Sequence, residues 1–301
     1  MNSDSTLEGH RAAVVVIGGS SNVGKSTLLN RLVGQKVAIV TPRPQTTRRR
    51  IVGIRSDPDA QMILIDTPGL HVSSRPLNRR MVETAKRSLA EGQVIVAVIE
   101  ARLSLDPAQL AAIAELRALE RPMFVAINKI DLLVRPKLLP LLEQCQRAAP
   151  EAEIVPVSAL TGENIDALVR AIKQLMPFGP PLMPADQYTD QTERALAAEA
   201  VREQIFLAMR EEVPFSTEVT VESWTEEQDR NLVKISAAII VAREAHKGMM
   251  IGAGGRMLKQ IGTAARLEIA ALLGSRVFLE LRVRVDRNWT RDPRKLAELG
   301  L

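Results

Sequence analysis

Gly19-Ser20-Ser21-Asn22-Val23-Gly24-Lys25-Ser26 decides the fold of this chain, because the apolar run Ala12 to Ile17 leads into it and the amphipathic stretch Thr27 to Val33 leads out. A buried strand turning through glycines into a helix makes this spacing a phosphate cradle rather than an ordinary glycine-rich turn. Gly19 and Gly24 let the backbone N–H groups between them, Asn22 and Val23 included, turn inward on a β-phosphate, with the partial positive charge of the helix N-terminus behind. Lys25 is predicted to reach the β- and γ-phosphates and Ser26 to ligate Mg2+ through its hydroxyl, with Thr27 in the same nucleotide-binding turn.

The rest of a nucleotide site follows in order. The run Met62 to Ile65 ends in Asp66-Thr67-Pro68-Gly69, which puts a carboxylate at the carboxyl end of a strand, where it can hold Mg2+, and a glycine N–H within reach of a γ-phosphate. The run Phe124 to Ile127 ends in Asn128-Lys129-Ile130-Asp131. Asp131 can accept hydrogen bonds from N1–H and the 2-amino group of guanine, whereas adenine offers neither donor there. A buried carboxylate left unpaired by the wrong base discriminates by about four orders of magnitude or more. The predicted ligand is therefore GTP or GDP, not ATP. After the strand-like Ile154 to Val157, Ser158-Ala159-Leu160 suits a backbone N–H contact to the guanine carbonyl oxygen.

Thr41-Pro42-Arg43-Pro44-Gln45-Thr46-Thr47-Arg48-Arg49-Arg50 has two prolines and no apolar periodicity, so it reads as a loop. A threonine here can close on Mg2+ and the γ-phosphate with GTP bound and let go after hydrolysis. Thr47 is the first choice and Thr46 the second. The arginine triplet reads as a solvated patch. Lys25, Thr47 and Gly69 are thus the candidate catalytic residues, and Ser26, Thr47 and Asp66 the candidate metal ligands. Leu70 stands where many switch GTPases carry a water-orienting glutamine, so slow intrinsic hydrolysis is expected. His71 is a weaker candidate for general base. Asn22 is a candidate for placing a monovalent cation such as K+ between the phosphates.

Composition agrees with a soluble protein of two domains in 301 residues. Hydrophobic residues make up 46%, yet no apolar stretch approaches the roughly 20 residues of a membrane span. The polar stretch Met1 to His10 lacks the apolar core of a secretory signal. The single cysteine, Cys145, cannot form an internal disulfide and reads as a small buried residue. A net charge of +5 favours a polyanionic partner.

Apolar runs alternate with helical patterns from Ala12 to about Met176, which predicts an α/β doubly wound, mostly parallel sheet over 10–177 behind a disordered 1–9. Pro180, Pro181 and Pro184 mark a linker over 178–191. In 192–301 a helix over Thr192 to Met209 precedes strands at Val219 to Trp224 and Leu232 to Val241, and a last strand carries Val277, Leu279, Leu281, Val283 and Val285 on one face. Between these strands, Gly252-Ala253-Gly254-Gly255 lies before a helix over Arg256 to Leu273. Two glycines bracketing a two-residue turn let a sugar-phosphate backbone approach the main chain closely. Lys247, Ile251, Gly252, Ala253, Gly254, Gly255, Arg256 and Lys259 are the candidate RNA-binding residues. Trp224 and Trp289 read as packing anchors.

With both motif sets in place, the chain resembles the Era family of bacterial GTPases, which join an N-terminal Ras-like P-loop domain to a C-terminal α+β KH domain of type II. The likeness extends to Gln45-Thr46-Thr47-Arg48, Tyr188-Thr189-Asp190 and Leu299-Gly300-Leu301. Two departures stand out. Ser20-Ser21 replaces a usual Arg-Pro, and Ala253 replaces a frequent lysine. The resemblance implies a GTP-dependent switch that binds the 3′ end of 16S ribosomal RNA and acts in 30S subunit assembly. It also implies a cytoplasmic protein, partly peripheral on the inner face of the cell membrane, and a monomer is expected. The alternative from another class is a nucleotide-gated adaptor for a protein or membrane partner, which would not need Gly252 and Gly255.

Overall fold

The computed structural model describes residues 9–44, 46–68, 76–299 and 301. They fall into two compact units. The first comprises 9–38, 47–68 and 81–190, and the second 39–44, 46, 76–80, 191–299 and 301.

The first unit is built on strand β1 (Arg11–Gly18), helix α1 (Lys25–Val33), strands β2 (Ile51–Asp57) and β3 (Ala60–Asp66), residues 81–91 of helix α2 (Pro76–Glu91), strand β4 (Val94–Glu100), helix α3 (Pro107–Arg117), strand β5 (Met123–Asn128), helix α4 (Leu138–Ala148), strand β6 (Glu153–Pro156) and helix α5 (Ile165–Leu175). The six strands lie in the order β2-β3-β1-β4-β5-β6, all parallel except β2, which pairs antiparallel with β3. Parallel strands covered on both faces need apolar residues at every position, and β3, β4 and β5 are near-continuous apolar runs for that reason. Val15, Ile17, Leu64, Val96 and Phe124 share one core with α1 and α5, while Val16, Ile65, Ile95 and Val125 share the other with α3 and α4. Each fully buried Val, Ile, Leu or Phe contributes about 1.5–3 kcal/mol. The strand ends Gly18, Asp66 and Asn128 bring the nucleotide motifs to one edge of the sheet, the position at which open α/β folds bind ligands.

The segment 178–190, expected as a linker, is instead strapped to this unit. Ile54 N–H donates to the Tyr188 carbonyl, Thr189 Oγ1 donates to the Val52 carbonyl at 2.6 Å, and the buried Gln61 holds Leu182 and Met183 by their N–H groups. The arginine triplet also departs from the expected solvated patch. Arg48 is 4% exposed, and Arg50 pairs with Glu91 at 2.9 Å and with Asp190 at 3.6 Å. Carboxylates distant in sequence draw Arg50 inward, and no local pattern announces them.

The second unit runs from helix α6 (Glu193–Ala208) through strands β7 (Thr217–Glu227) and β8 (Leu232–Val241), helices α7 (Glu244–Ile251) and α8 (Arg256–Leu273), and strand β9 (Arg276–Val285) to helix α9 (Pro293–Glu298). Thr192 caps α6 by accepting from Ala195 N–H. The sheet order is β7-β8-β9, antiparallel then parallel, and Val233, Ile235, Ala237 and Ile239 of β8 face the core with Ile261, Ala265 and Ile269 of α8. Trp289 is fully buried and donates to the Ser216 carbonyl, whereas Trp224 lies at the core margin and donates to Glu226. Cys145, in α4 of the first unit, is buried, which pushes its thiol up to about 11.

Candidate functional site

In the first unit the loop from β1 to α1 closes around the Lys25 ammonium, whose Nζ donates to the carbonyls of Gly19 at 3.0 Å and Ser20 at 2.7 Å. Gly24, at φ 95°, admits no side chain, since a Cβ there would meet Asn128 Nδ2 at 2.3 Å. That close approach is used. Asn128 Nδ2 donates to the Val23 carbonyl at 2.8 Å and its Oδ1 accepts from Ala159 N–H at 2.9 Å, so one side chain ties the phosphate loop to the Ser158 loop. Lys129 Nζ reaches the Asn22 carbonyl at 2.7 Å and the Glu100 carboxylate at 2.8 Å. Ser158 Oγ donates to Asp131 Oδ1 at 2.5 Å, orienting the carboxylate. Ser158 N–H is already given to the Glu163 carbonyl. Arg31 of α1 holds the carbonyls of Ala159 and Leu160.

Ser26 Oγ lies 2.5 Å from Asp66 Oδ2 and 3.0 Å from Thr47 Oγ1. Thr46, the second choice, turns the other way: its hydroxyl donates to the Arg43 carbonyl at 2.9 Å and lies 2.6 Å from Thr41 Oγ1. Asp66 is wholly buried with Oδ1 lacking a partner among the described residues. Burial pushes its carboxyl above the ordinary 3.8, against the Lys25 charge and the hydrogen bonds from Ser26 and Thr47. Burial likewise pushes the Lys25 ammonium below the ordinary 10.5, against the pull of Asp66. Two hydroxyls and an under-satisfied carboxylate are hard oxygen donors, and the residues fit Mg2+. Thr67 anchors the Asp66 turn by donating to the Ile17 carbonyl at 3.1 Å, and Pro68 is buried beside it. Gly69, Leu70 and His71, like Gln45, lie outside the described residues.

In the second unit the glycine turn joins α7 to α8. Gly252 has φ 70°, and a Cβ there would meet Met257 Cβ at 2.8 Å, so the entry to α8 requires glycine. Gly254 and Gly255 follow at φ 60° and 77°, and Arg256 folds back on the Ala253 carbonyl. Beside the turn, a cavity of about 360 Å³ is lined by Gly255, Leu258, Lys259, Gly262, Thr263, Arg266, Leu279 and Leu281. Its apolar wall comes from α8 and β9, and Lys259, Thr263 and Arg266 recur at helical spacing along one rim. Among the described residues, Lys247, Lys259 and Arg266 form no ion pair. Sequence reasoning reached Lys259 and the turn but missed the groove's far half. The available signal was Gly262, a glycine inside a helix, which needs a packing or functional reason.

A phosphate cradle, a guanine-reading carboxylate and a magnesium-type oxygen cluster on a doubly wound sheet, followed by a glycine turn over an apolar groove, define a P-loop GTPase domain joined to a KH domain. The family models agree: one described as a 50S ribosome-binding GTPase matches residues 14–129, and a KH domain matches 212–290. The chain is 46% identical over 290 residues to the GTPase Era of Syntrophus aciditrophicus strain SB, covering 96% of this chain and 95% of that one. It is 45% identical over 290 residues to that of Geobacter metallireducens, covering 96% of this chain and 97% of that one. Among solved structures, it resembles a point variant of Aquifex aeolicus Era bound to GDP·AlF4− at 42% identity and TM-score 0.92, over 96% of this chain and 99% of the other. An Era in complex with MgGDPNP and nucleotides 1506–1542 of 16S ribosomal RNA matches equally, at 42% and 0.92, over 97% and 99%. The chain belongs to the Era family of GTPases.

Proposed function

We propose that this protein is a GTP-hydrolysing switch that binds the 3′ end of 16S ribosomal RNA through its KH groove and acts in maturation of the 30S subunit. The observation that supports the reading most is the convergence of Ser26, Thr47 and Asp66, three oxygen-bearing side chains whose chemistry suits Mg2+. The RNA assignment is supported by the relative solved with MgGDPNP and the 16S fragment.

Ser26, Thr47 and Asp66 would hold Mg2+, which supplies charge neutralisation across the β- and γ-phosphates. Lys25 leaves the Gly19 and Ser20 carbonyls for those phosphates. Asp131, oriented by Ser158, reads the guanine edge, and Ala159 N–H reads the carbonyl oxygen after exchanging its Asn128 contact. Gly69 completes the γ-phosphate contacts. With leucine at position 70, intrinsic hydrolysis is slow. Asn22, whose carbonyl is already fixed by Lys129, is suited to placing a K+ ion near the phosphates, and equal turnover in K+ and Na+ buffers would remove that role. Along the glycine turn, Lys247, Ile251, Gly252, Ala253, Gly254, Gly255, Arg256 and Lys259 carry the RNA backbone. GTP favours RNA only if the RNA-competent arrangement binds GTP more tightly, and RNA then favours GTP by the same factor.

A cytoplasmic monomer, partly peripheral on the inner face of the membrane, follows from family resemblance; no described helix is long and apolar enough to cross a membrane. The deciding experiment is crosslinking and sequencing of RNA bound in cells, wild type against Gly255→Asp, with GTP and GDP states compared in vitro. One enriched site at the 16S 3′ end, lost in the variant and tighter with GTP, supports the switch. Diffuse recovery indifferent to Gly255 supports a nucleotide-gated adaptor.

A further inference from the structure

Arg31 stands in the last turn of α1, where a cation is favoured by the helix carbonyls and needs no partner beyond them and water. Its guanidinium is nevertheless committed to another segment of the same unit. Nε donates to the Ala159 carbonyl at 3.0 Å and a terminal nitrogen donates to the Leu160 carbonyl, so one planar fork grips two successive peptides of the loop after β6. The Leu160 side chain is 69% exposed and cannot anchor its own backbone by packing.

Across a trans peptide the C=O and N–H point in opposite directions. The Leu160 carbonyl faces Arg31, and the N–H of that same peptide, on Thr161, donates to Ser158 Oγ at 3.1 Å, which in turn donates to Asp131. The Ala159 carbonyl also faces Arg31, so the N–H of its peptide, on Leu160, points away from Arg31 as the Thr161 N–H does. It has no partner among the described residues. One peptide earlier, Ala159 N–H donates to Asn128 Oδ1. The loop thus has two faces, with carbonyls turned to α1 and N–H donors turned to the residues that read the base. Once Ala159 N–H exchanges Asn128 for the guanine oxygen, the Arg31 fork is the hold on the Ala159–Leu160 peptide.

We propose that Arg31 is a positioning residue for guanine selection: by gripping the Ala159 and Leu160 carbonyls it aims the N–H donors of this loop, Leu160 N–H among them, at the carbonyl oxygen of the base. This rests on the guanine reading of Asp131 and deepens it, because Asp131 tests the N1–H and 2-amino edge while the loop tests the oxygen at position 6. Lys25 opens the same helix, and Arg31 lies about 9 Å along it at 1.5 Å per residue, so one rigid rod sets the base-reading loop relative to the phosphate end. Arg31 acts through the backbone of residues 159–161.

The test measures equilibrium affinity of the full-length chain for GDP, 6-thioguanosine diphosphate and ADP, in wild type, Arg31→Ala and Arg31→Lys, with thermal midpoints alongside. The thio analogue keeps N1–H and the 2-amino group but puts sulfur, a weak acceptor, where guanine has oxygen. Alanine is the best helix former, so the substitution does not weaken α1 itself. Arg31 is exposed and its donors compete with water, so losing two charge-assisted bonds predicts about a tenfold fall in GDP affinity for Arg31→Ala. The thio analogue loses no more than about twofold, as expected when the residue and the base oxygen share one interaction. Arg31→Lys keeps the charge without the fork and weakens GDP about threefold, again sparing the analogue. Equal losses for the two nucleotides, or unchanged GDP affinity in Arg31→Ala, overturn the proposal. If Arg31→Ala does not fold, Arg31→Lys decides: a loss confined to GDP supports the proposal, and equal losses or none overturn it. A wild-type chain that binds ADP as tightly as GDP overturns instead the guanine reading on which it rests.

Discussion

Ser26 and Thr47 stand 21 positions apart in the chain and hold their hydroxyl oxygens 3.0 Å apart, with Asp66 within reach of both. Thr46, one residue earlier, makes none of these contacts. Thr47→Ala is therefore expected to lower the single-turnover GTP hydrolysis rate about 100-fold, the typical cost of one transition-state ligand. Thr46→Ala loses local hydrogen bonds worth about 1 kcal/mol and has the smaller effect on rate. Parallel single-turnover assays and thermal melts separate the two.

Asp131 receives the Ser158 hydroxyl on one oxygen, so the carboxylate is held in a fixed plane. Asp131→Asn replaces an acceptor by a donor. The variant is expected to lose GTP affinity by about 100-fold or more and to gain affinity for xanthosine triphosphate, whose 2-oxo group accepts where guanine donates. Competition binding with the two nucleotides checks it.

Gly262 sits in the wall of the second unit's groove, where a Cβ would meet Leu281 Cδ1 at 3.3 Å. Gly262→Ala raises helix propensity by about 1 kcal/mol but narrows the groove. The expected result is a thermal midpoint no lower than wild type with single-stranded RNA affinity reduced about tenfold. A variant that binds RNA as tightly as wild type would show the groove is not the RNA path.

Arg266 lies on the same rim, exposed and without an ion pair among the described residues. If it meets a phosphate, Arg266→Ala should flatten the slope of log affinity against log salt by about 0.7, the single-strand value for one phosphate. RNA titrations at three salt concentrations measure it.

Asp57 accepts from Arg55 at 2.9 Å and pairs with Lys173 at 3.0 Å. Burial alone would raise its carboxyl, but the hydrogen bonds from Arg55 and Lys173 outweigh burial and hold it below the ordinary 3.8. A lowered acid contributes stability that is complete above the unfolded value near 3.8 and is lost as pH falls through the folded one. Lys173→Met is expected to cost about 0.5–1 kcal/mol at pH 7 and to lessen the loss below about pH 4. Denaturant melts at the two pH values test the sign.

The nucleotide motifs were legible because each is local: a strand pattern, a turn and a helix within about ten residues of one another. Helix α8 and strand β8 fall at the positions their periodicity indicates, Arg256–Leu273 and Leu232–Val241. What escaped the sequence depends on partners far along the chain. Arg48 reads in sequence like Arg49 and Arg50, yet it is buried while they are only half-buried. Gln61, a polar residue in an apolar strand, accepts from the N–H groups of Leu182 and Met183, 121 and 122 positions away. Glu203 shows no motif at all, and its contact with Val40 spans 163 positions.

The strap over residues 178–190 also decides how this protein can be divided. Strand β2 is the last strand on its side of the sheet, and the bridge from Gly53 to Thr189, with the bonds of Ile54 and Val52, occupies a border that would otherwise lie open. Uncovered sheet borders recruit other chains. A GTP-binding fragment cut after Met176, where the α/β pattern ends, would bare that border and self-associate, whereas one cut after Asp190 carries its own cover and stays dispersed.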